Sequence, residues 1–416
     1  MQDLTNIKVN FDNLIKSIHT SSDDIEFRKK SFDRFYEKGF PEIKNENWKY
    51  SPLVKDLKKF TDFNFKSNNN KNLPKELFES LDHYAIIFID GTLITKNFSE
   101  KGIAIKQNSA FLKSIRKEGD NPILNLANAF ANNGYLIEIE NGFIATKPIV
   151  IYNYYSKDFS SSFYSSKNFI LLNENTGITI FEKTIFDSDR EFLITSNTEA
   201  FLAKNSTLKK YNVSSFNKHS TIFNFIKANL DENAYFENFN FSEDVNSCRD
   251  ETIINLNGKN SSTSCNAIQY LHNNCNHEIK LQINHNEEST KSSQFVKSAL
   301  YDNSNAVFQG KIYVDSKAQK TDGYQLSRAL LLSDAVKFFS KPELEIYADD
   351  VKCSHGSSSG SIDDNSIFYL RSRGISEQAA KLMMIKGFLA EVVEKISDKY
   401  FRNYFYNKLG YHLDDI

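Results

Sequence analysis

Two stretches of the sequence carry residue types that bind metals. In Cys353-Ser354-His355 a thiol and an imidazole stand two residues apart. If the surrounding EIYADDVKCSHG is extended, residues two apart share a face, and a thiolate with an imidazole suits iron or zinc. Two ligands leave a site unfinished, so other residues or a partner must complete it. The alternative is that Cys353 is a small buried hydrophobe and His355 a turn residue before Gly356. The second stretch is His272-x-x-Cys275-x-His277, with His285 beyond it. By spacing alone it is the more metal-like, yet LHNNCNHEIK also reads as a polar loop between strands. Cys248 and Cys265 have no ligand-type neighbours and read as packing residues.

The signatures of common catalysts are missing. The chain has no Walker A sequence, no GxGxxG after a strand, no GxSxG elbow and no HExxH. Asp349-Asp350 and Asp363-Asp364 are adjacent pairs, and neighbours on a strand face opposite sides. GSSSGS (356–361) has no lysine and reads as a turn rather than a phosphate cradle. On its chemistry alone the chain has no independent active site.

The elements that must hold these residues fall into three stretches. Residues 1–80 read as helical: Ser22 is a candidate N-cap, Asp23, Asp24 and Glu26 suit the positive end of the helix dipole, and Ile25, Phe32 and Phe35 recur at helical spacing. Gly39 and Pro41 end that segment. Residues 81–362 read as closely spaced short strands, among them YAIIFID (84–90), GYLIEIE (134–140), PIVIYNY (148–154), FILLNE (169–174), EFLITS (191–196), AVFQGKIYV (306–314) and ELEIYA (343–348). A sandwich, a barrel or a β-solenoid would each bury so many sheet faces. No crisp repeat motif singles out the solenoid. Within 206–246, TIFNFIKANL reads as a possible helix and NAYFENFNFSED as a surface loop or edge strand. From 363 to 416 helix signals return. Asp363 and Asp364 precede IFYLRSR, which stops at Gly374, and Ser376 caps a longer helix. Leu382, Ile385, Leu389, Val392, Val393 and Ile396 form one apolar stripe, to be packed on its own domain or offered to a partner. KYFRNYFYNKLG follows, amphipathic, ending at Gly410.

Composition excludes several function classes. With 51 basic and 53 acidic residues the net charge is −2, which gives no footprint for nucleic acid or an anionic membrane surface. No apolar run is long enough to span a bilayer, which takes about 20 residues, and MQDLTNIKVNF has no signal-peptide pattern. Four cysteines at irregular spacing are too few for a disulfide framework in 416 residues. A reducing cytoplasm fits best. The 35 Phe and 20 Tyr against one Trp read as core filler, in an Asn- and Lys-rich composition of the kind an AT-rich genome produces.

The longer motifs carry a resemblance. KPELEIYADDVKCSHG with the following IDDNSIFYLRSRGIS, AVFQGKIYVDSKAQKTDGYQLSRALLLSD (306–334) and, near the N-terminus, GFPEIKNENWKYSPL (39–53) resemble the SufB/SufD family of the SUF iron–sulfur assembly system. The match is dense over 285–400, thinner at the N-terminus and weak from about 85 to 245. SufB-like chains carry a cysteine where this one has Ser327, and read His-Glu-Ala where it has His355-Gly356-Ser357, so the resemblance is to the SufD branch.

The resemblance implies a mainly β protein: a right-handed parallel β-helix core (81–362) flanked by helical domains at 1–80 and 363–416. It implies a scaffold rather than an enzyme, pairing with a SufB-like paralogue through the β-helices. It also implies docking of a SufC-like ABC-type ATPase through the C-terminal helices, where Tyr369, Arg371, Arg373, Leu382, Ile385 and Leu389 are the expected contacts. Cys353 and His355 match family positions at the paralogue interface and are the expected ligands of iron or of a transient iron–sulfur cluster shared with the partner. In isolation the chain could form a homodimer; a SufB-type main scaffold and a polysaccharide-acting β-solenoid enzyme are the competing readings.

Overall fold

The computed structural model describes residues 2–410 apart from 19, 52, 58, 61–72, 97–99, 108–120, 132, 160–161, 189, 215–216 and 244. Its centre is a parallel β-solenoid of about seven turns. Each turn contributes one strand to each of two sheets. The front sheet runs from Tyr84–Ile89 through Tyr235–Glu243 and Lys291–Leu300 to Val351–Gly360. The back sheet runs from Tyr135–Ile139 through Asn217–Leu230 and Asn276–His285 to Lys337–Ile346. Among the described residues only Thr92–Lys96 and Ile103–Gln107, at the N-terminal end, pair antiparallel. Each apolar run quoted from the sequence falls on one of these strands.

Both faces of both sheets are covered through much of the solenoid, which explains the missed repeat. Inside, Phe236, Cys265, Ala267 and Val296 of the front sheet meet Ile279, Leu281, Ile283 and Phe308 of the back sheet. Outside, the back sheet presents Phe163, Leu193, Phe223 and Phe225 to helices α1 (Gln2–Ser17), α2 (Ser22–Lys38) and α4 (Pro122–Phe130), with a short α3 (Val54–Leu57) nearby. The front sheet presents Phe181, Tyr211, Phe239 and Phe241 to helices at the other end of the chain. Buried parallel strands lose the polar/apolar alternation that marks a half-exposed sheet. TIFNFIKANL and NAYFENFNFSE are therefore central strands, Asn217–Leu230 and Tyr235–Glu243, and neither a helix nor a surface loop.

The asparagines have a structural use that composition hid. Asn175, Asn205, Asn233 and Asn260 occupy the same turn of successive coils, all with φ near +60°, a conformation Asn tolerates better than most residues. Their amides form a ladder, each donating to its predecessor at 2.9, 3.0 and 3.2 Å, with partners 27–30 residues apart in sequence. A second ladder joins Asn284, Asn255 and Asn229.

Several local expectations shift. The N-cap of α2 is Ser21, which accepts from the Asp24 N–H at 3.3 Å, rather than Ser22. Helix α4 interrupts the strand region unannounced, capped by Asn121. At the C-terminal end α5 (Asp364–Ser372), α6 (Glu377–Val393) and α7 (Lys399–Lys408) begin at Asp363, Ser376 and Asp398, as polar N-caps should. They turn back along the chain. Phe401 and Phe405 of α7 pack on Phe181, Tyr211 and Phe239, and α6 packs on the strand Lys291–Leu300.

Candidate functional site

KPELEIYADDVKCSHGSSSG is two strands rather than one. Lys337–Ile346 ends the back sheet, residues 347–350 turn, and Val351–Gly360 ends the front sheet. GSSSG is therefore strand rather than turn. Val351–Gly360 pairs with Thr321–Leu331 along one edge, and its other edge has no strand partner among the described residues. The same holds for Lys337–Ile346 beyond Asn305–Val314. Two backbone edges thus lie open at one end of the solenoid, each a row of unused donors and acceptors.

Cys353 and His355 project to the same face of the last front strand, opposite Gly323 and Gln325. That face is the inward one. Cys353 rests against the last apolar rung, with Ile312, Val314 and Leu344. A Cβ added at Gly323 would lie 3.3 Å from Cys353 Sγ, so the glycine leaves the sulfur its room. Burial pushes the Cys353 thiol up, and the Gly323 backbone N–H opposes this without cancelling it. A metal would have to displace that proton. The His355 side chain is exposed. Among the described residues no group of three or more His, Cys, Asp or Glu is arranged to hold a metal ion. On this chain alone the thiol and the imidazole have no third ligand-type group arranged with them among the described residues.

The competing motif is taken apart by the fold. His272 stacks on Tyr301 at 4.6 Å. Cys275 is buried among Leu271, Leu300 and Ala306. His277 is buried, with Nε2 2.7 Å from the Val245 carbonyl. His285 lies in the solenoid with its nitrogens 2.7 and 2.8 Å from the hydroxyls of Thr290 and Ser292, and burial lowers its pKa to about 4. Among the described residues the segment holds no metal-ligand group; residues 272–275 are the turn between the strands Ser262–Leu271 and Asn276–His285, with Asn273 and Asn274 exposed and Cys275 buried. Cys248 and Cys265 are packing residues, the latter with its thiol pushed up to about 12 by burial. Ser327 is fully buried, its hydroxyl 3.1 Å from that of Ser340.

The chain belongs to the SufBD family of iron–sulfur cluster assembly proteins. Residues 154–388 match the family described as SUF system FeS cluster assembly, SufBD core domain, and residues 9–151 match the SufBD protein N-terminal region. The chain is similar to the iron–sulfur cluster assembly protein SufD of Escherichia coli K12, at 29% identity over 390 residues and 90% of each chain. A SufBD family protein of Synechocystis is 39% identical over 116 residues, 28% of this chain and 25% of that one. Protein ABCI7, chloroplastic, of Arabidopsis thaliana is 41% identical over 98 residues, 24% of this chain and 21% of that one. The SufBD core thus includes Cys353, His355 and most of α6, and the resemblance to the SufD branch holds.

The residues expected to dock a partner on the C-terminal helices divide by exposure. Ile385 and Leu389 are buried against the front sheet at 2% and 1% exposure, so they drop out of the docking set. Leu382, at the start of the stripe, stands 41% exposed. Tyr369 is exposed with the Arg373 guanidinium 4.6 Å over its ring, and Arg371 pairs with Glu377 at 3.3 Å. Two further large apolar residues of these helices are exposed, Phe368 at 73% and Met383 at 50%. Their signal was available, since both are large apolar residues outside the apolar stripe. No described helix is long and apolar enough to cross a membrane.

Proposed function

We propose that this SufBD protein is a scaffold subunit whose open solenoid end joins a SufB-like paralogue. The observation that carries the reading is the placement of Cys353 and His355 side by side on a terminal strand with an unpaired edge. Edge strands at the ends of both sheets invite strand addition, and a partner solenoid presenting the same end would continue both. The partner would then supply the ligands this chain lacks. His355 offers an exposed imidazole to incoming iron, and Cys353 offers a thiol that becomes a ligand once deprotonated. Iron and sulfide are cargo here, and the role is positional rather than catalytic.

The C-terminal region (363–416) is the docking unit for a SufC-like ABC-type ATPase in this reading, through Phe368, Tyr369, Arg371, Arg373, Leu382 and Met383. Helix α6 joins that patch to the front sheet, so a shift imposed at the patch has a rigid route to the solenoid. The setting is the reducing cytoplasm, with no nucleic acid and no membrane.

The test is reconstitution with a SufB-like and a SufC-like partner. The wild-type chain should co-purify with both, and His355→Ala should lower iron–sulfur absorbance of the complex without dissolving it. Undiminished cluster formation in a Cys353→Ala/His355→Ala double variant would refute the ligand role. A homodimer that excludes the paralogue would refute the pairing.

A further inference from the structure

Helix α6 lies on the front sheet across an apolar seam that has one charge sealed into it. Ile385, Leu389, Val392 and Val393 of the helix pack with Ile268, Phe295 and Ala299 of the sheet. Between Phe295 and Ala299, on the same face of their strand, stands Lys297, whose side chain is 0% exposed. Its ammonium donates to the Phe388 carbonyl at 2.8 Å and pairs with Glu391 at 2.7 Å, both on α6. The ring centre of Phe388 lies 4.2 Å from it and that of Phe295 5.3 Å. Glu391 is the one carboxylate within ion-pair reach of Lys297 among the described residues, and it stands 59% exposed. Arg328, directly across on the next strand, adds a like charge.

Stability alone would not select this arrangement. Lysine is almost never fully buried unless it is paired. A methionine would fill the same space with no charge to desolvate, and replacing a buried ion pair by apolar groups is often neutral or stabilising. What the lysine adds is a condition. While Glu391 is in place the ammonium is satisfied and α6 stays down. With that carboxylate withdrawn, a cation beside Arg328 keeps only a carbonyl and two ring faces, and it regains water by lifting α6. The two partners are also unequal. Lys297 is sealed and Glu391 is on the surface, so the contact can be undone from outside without opening the core.

We propose that Lys297 and Glu391 form a releasable latch, which holds α6 on the front sheet while the carboxylate is in place and frees it when the carboxylate is taken away. A basic side chain of a bound partner, competing for Glu391, is the chemistry that takes it. The same helix carries the exposed Leu382 and Met383, so the latch links that patch to the sheet, an extension that rests on the docking reading above. The latch itself consists of contacts within this chain and is tested without a partner.

The test is native-state hydrogen exchange of the full chain, read by mass spectrometry. Peptides over 385–396 report α6, and the back-sheet strand Asn305–Val314 is the internal control. Glu391→Ala, at an exposed position, should speed α6 exchange about tenfold or more, the effect of losing one hydrogen bond to a charged group. The control strand should stay within about twofold of wild type. Lys297→Met should not speed α6 exchange, because Glu391 remains solvated. The double variant Lys297→Met/Glu391→Ala should return α6 to within about twofold of wild type. Unchanged α6 exchange in Glu391→Ala would overturn the proposal. So would equally fast exchange in Lys297→Met, which would make the lysine an ordinary packing contact, or a loss of protection shared equally by the control strand.

Discussion

Replacing Arg249 tests how the N-terminal segment is held to the solenoid. Its side chain is fully buried. The guanidinium donates to Glu278 at 2.6 Å, to Glu251 at 3.0 Å and to the Asn47 carbonyl at 3.2 Å, and it lies 4.0 Å from the Trp48 ring centre. Arg249→Met keeps the apolar stem and removes the charge. Glu251 would retain Lys280 at 3.2 Å and Asn121 at 3.1 Å. Glu278 would retain only the Gln309 amide at 2.9 Å, with no cation. Removing one partner of a buried pair costs about 3–5 kcal/mol, mostly because the other charge stays buried, and the lost stacking on Trp48 adds up to about 2 kcal/mol. Because Trp48 is the only tryptophan, its fluorescence during urea unfolding reports this junction directly, with far-UV circular dichroism following the solenoid. The double variant Arg249→Met/Glu278→Gln should recover a large part of the loss. Burial pushes the Glu251 carboxyl up, but Arg249 and Lys280 outweigh it and hold it below the ordinary range. A carboxylate depressed in the folded state adds stability above its unfolded pKa of about 4.3, which is lost as pH falls through the folded value. The variant's stability should therefore fall less steeply below about pH 4. A single-variant loss under about 1 kcal/mol, or no recovery in the double variant, would refute the claim that an uncompensated charge sets the cost.

Three further outcomes follow from the same geometry. Phe368→Glu, at a 73% exposed position, should change unfolding stability by no more than about 0.5 kcal/mol yet abolish pull-down of the ABC-type ATPase; retained pull-down would remove Phe368 from the patch. His285 is held neutral by burial, with its pKa lowered to about 4. An imidazole depressed in the folded state binds its proton more readily unfolded, so stability falls as pH drops from about 6.5 toward 4, by roughly 3 kcal/mol in all. His285→Gln should flatten that limb of a pH–stability curve. Under native conditions iodoacetamide should modify Cys353, the half-buried thiol, well before the buried Cys248, Cys265 and Cys275, and mass spectrometry of the labelled peptides reads the order.

The helices at the C-terminal end of the chain were legible residue by residue. Asp363, Ser376 and Gly374 mark helix ends because capping chemistry is local. The strands were legible as strands, while their assembly was not. Two-sided burial erased the alternation, and the Asn residues that mark each coil look like composition until the ladder aligns them. The proposed docking patch was half legible: the apolar stripe of α6 is real, but Ile385 and Leu389 are taken up by the front sheet, while Phe368 and Met383 stand out in the sequence as large apolar residues off the stripe and in the structure as exposed surface.

The sequence by itself determined the family, through long motifs around Cys353 and His355, and the shared face of that pair, because strand geometry repeats every two residues. Tertiary structure alone decided which metal-like motif survives. His272, Cys275 and His277 are close in sequence, yet stacking on Tyr301, burial against Leu271 and a bond to the Val245 carbonyl send them to different surroundings. Cys353 and His355 stay together because they lie on the last strand, where no further coil covers them.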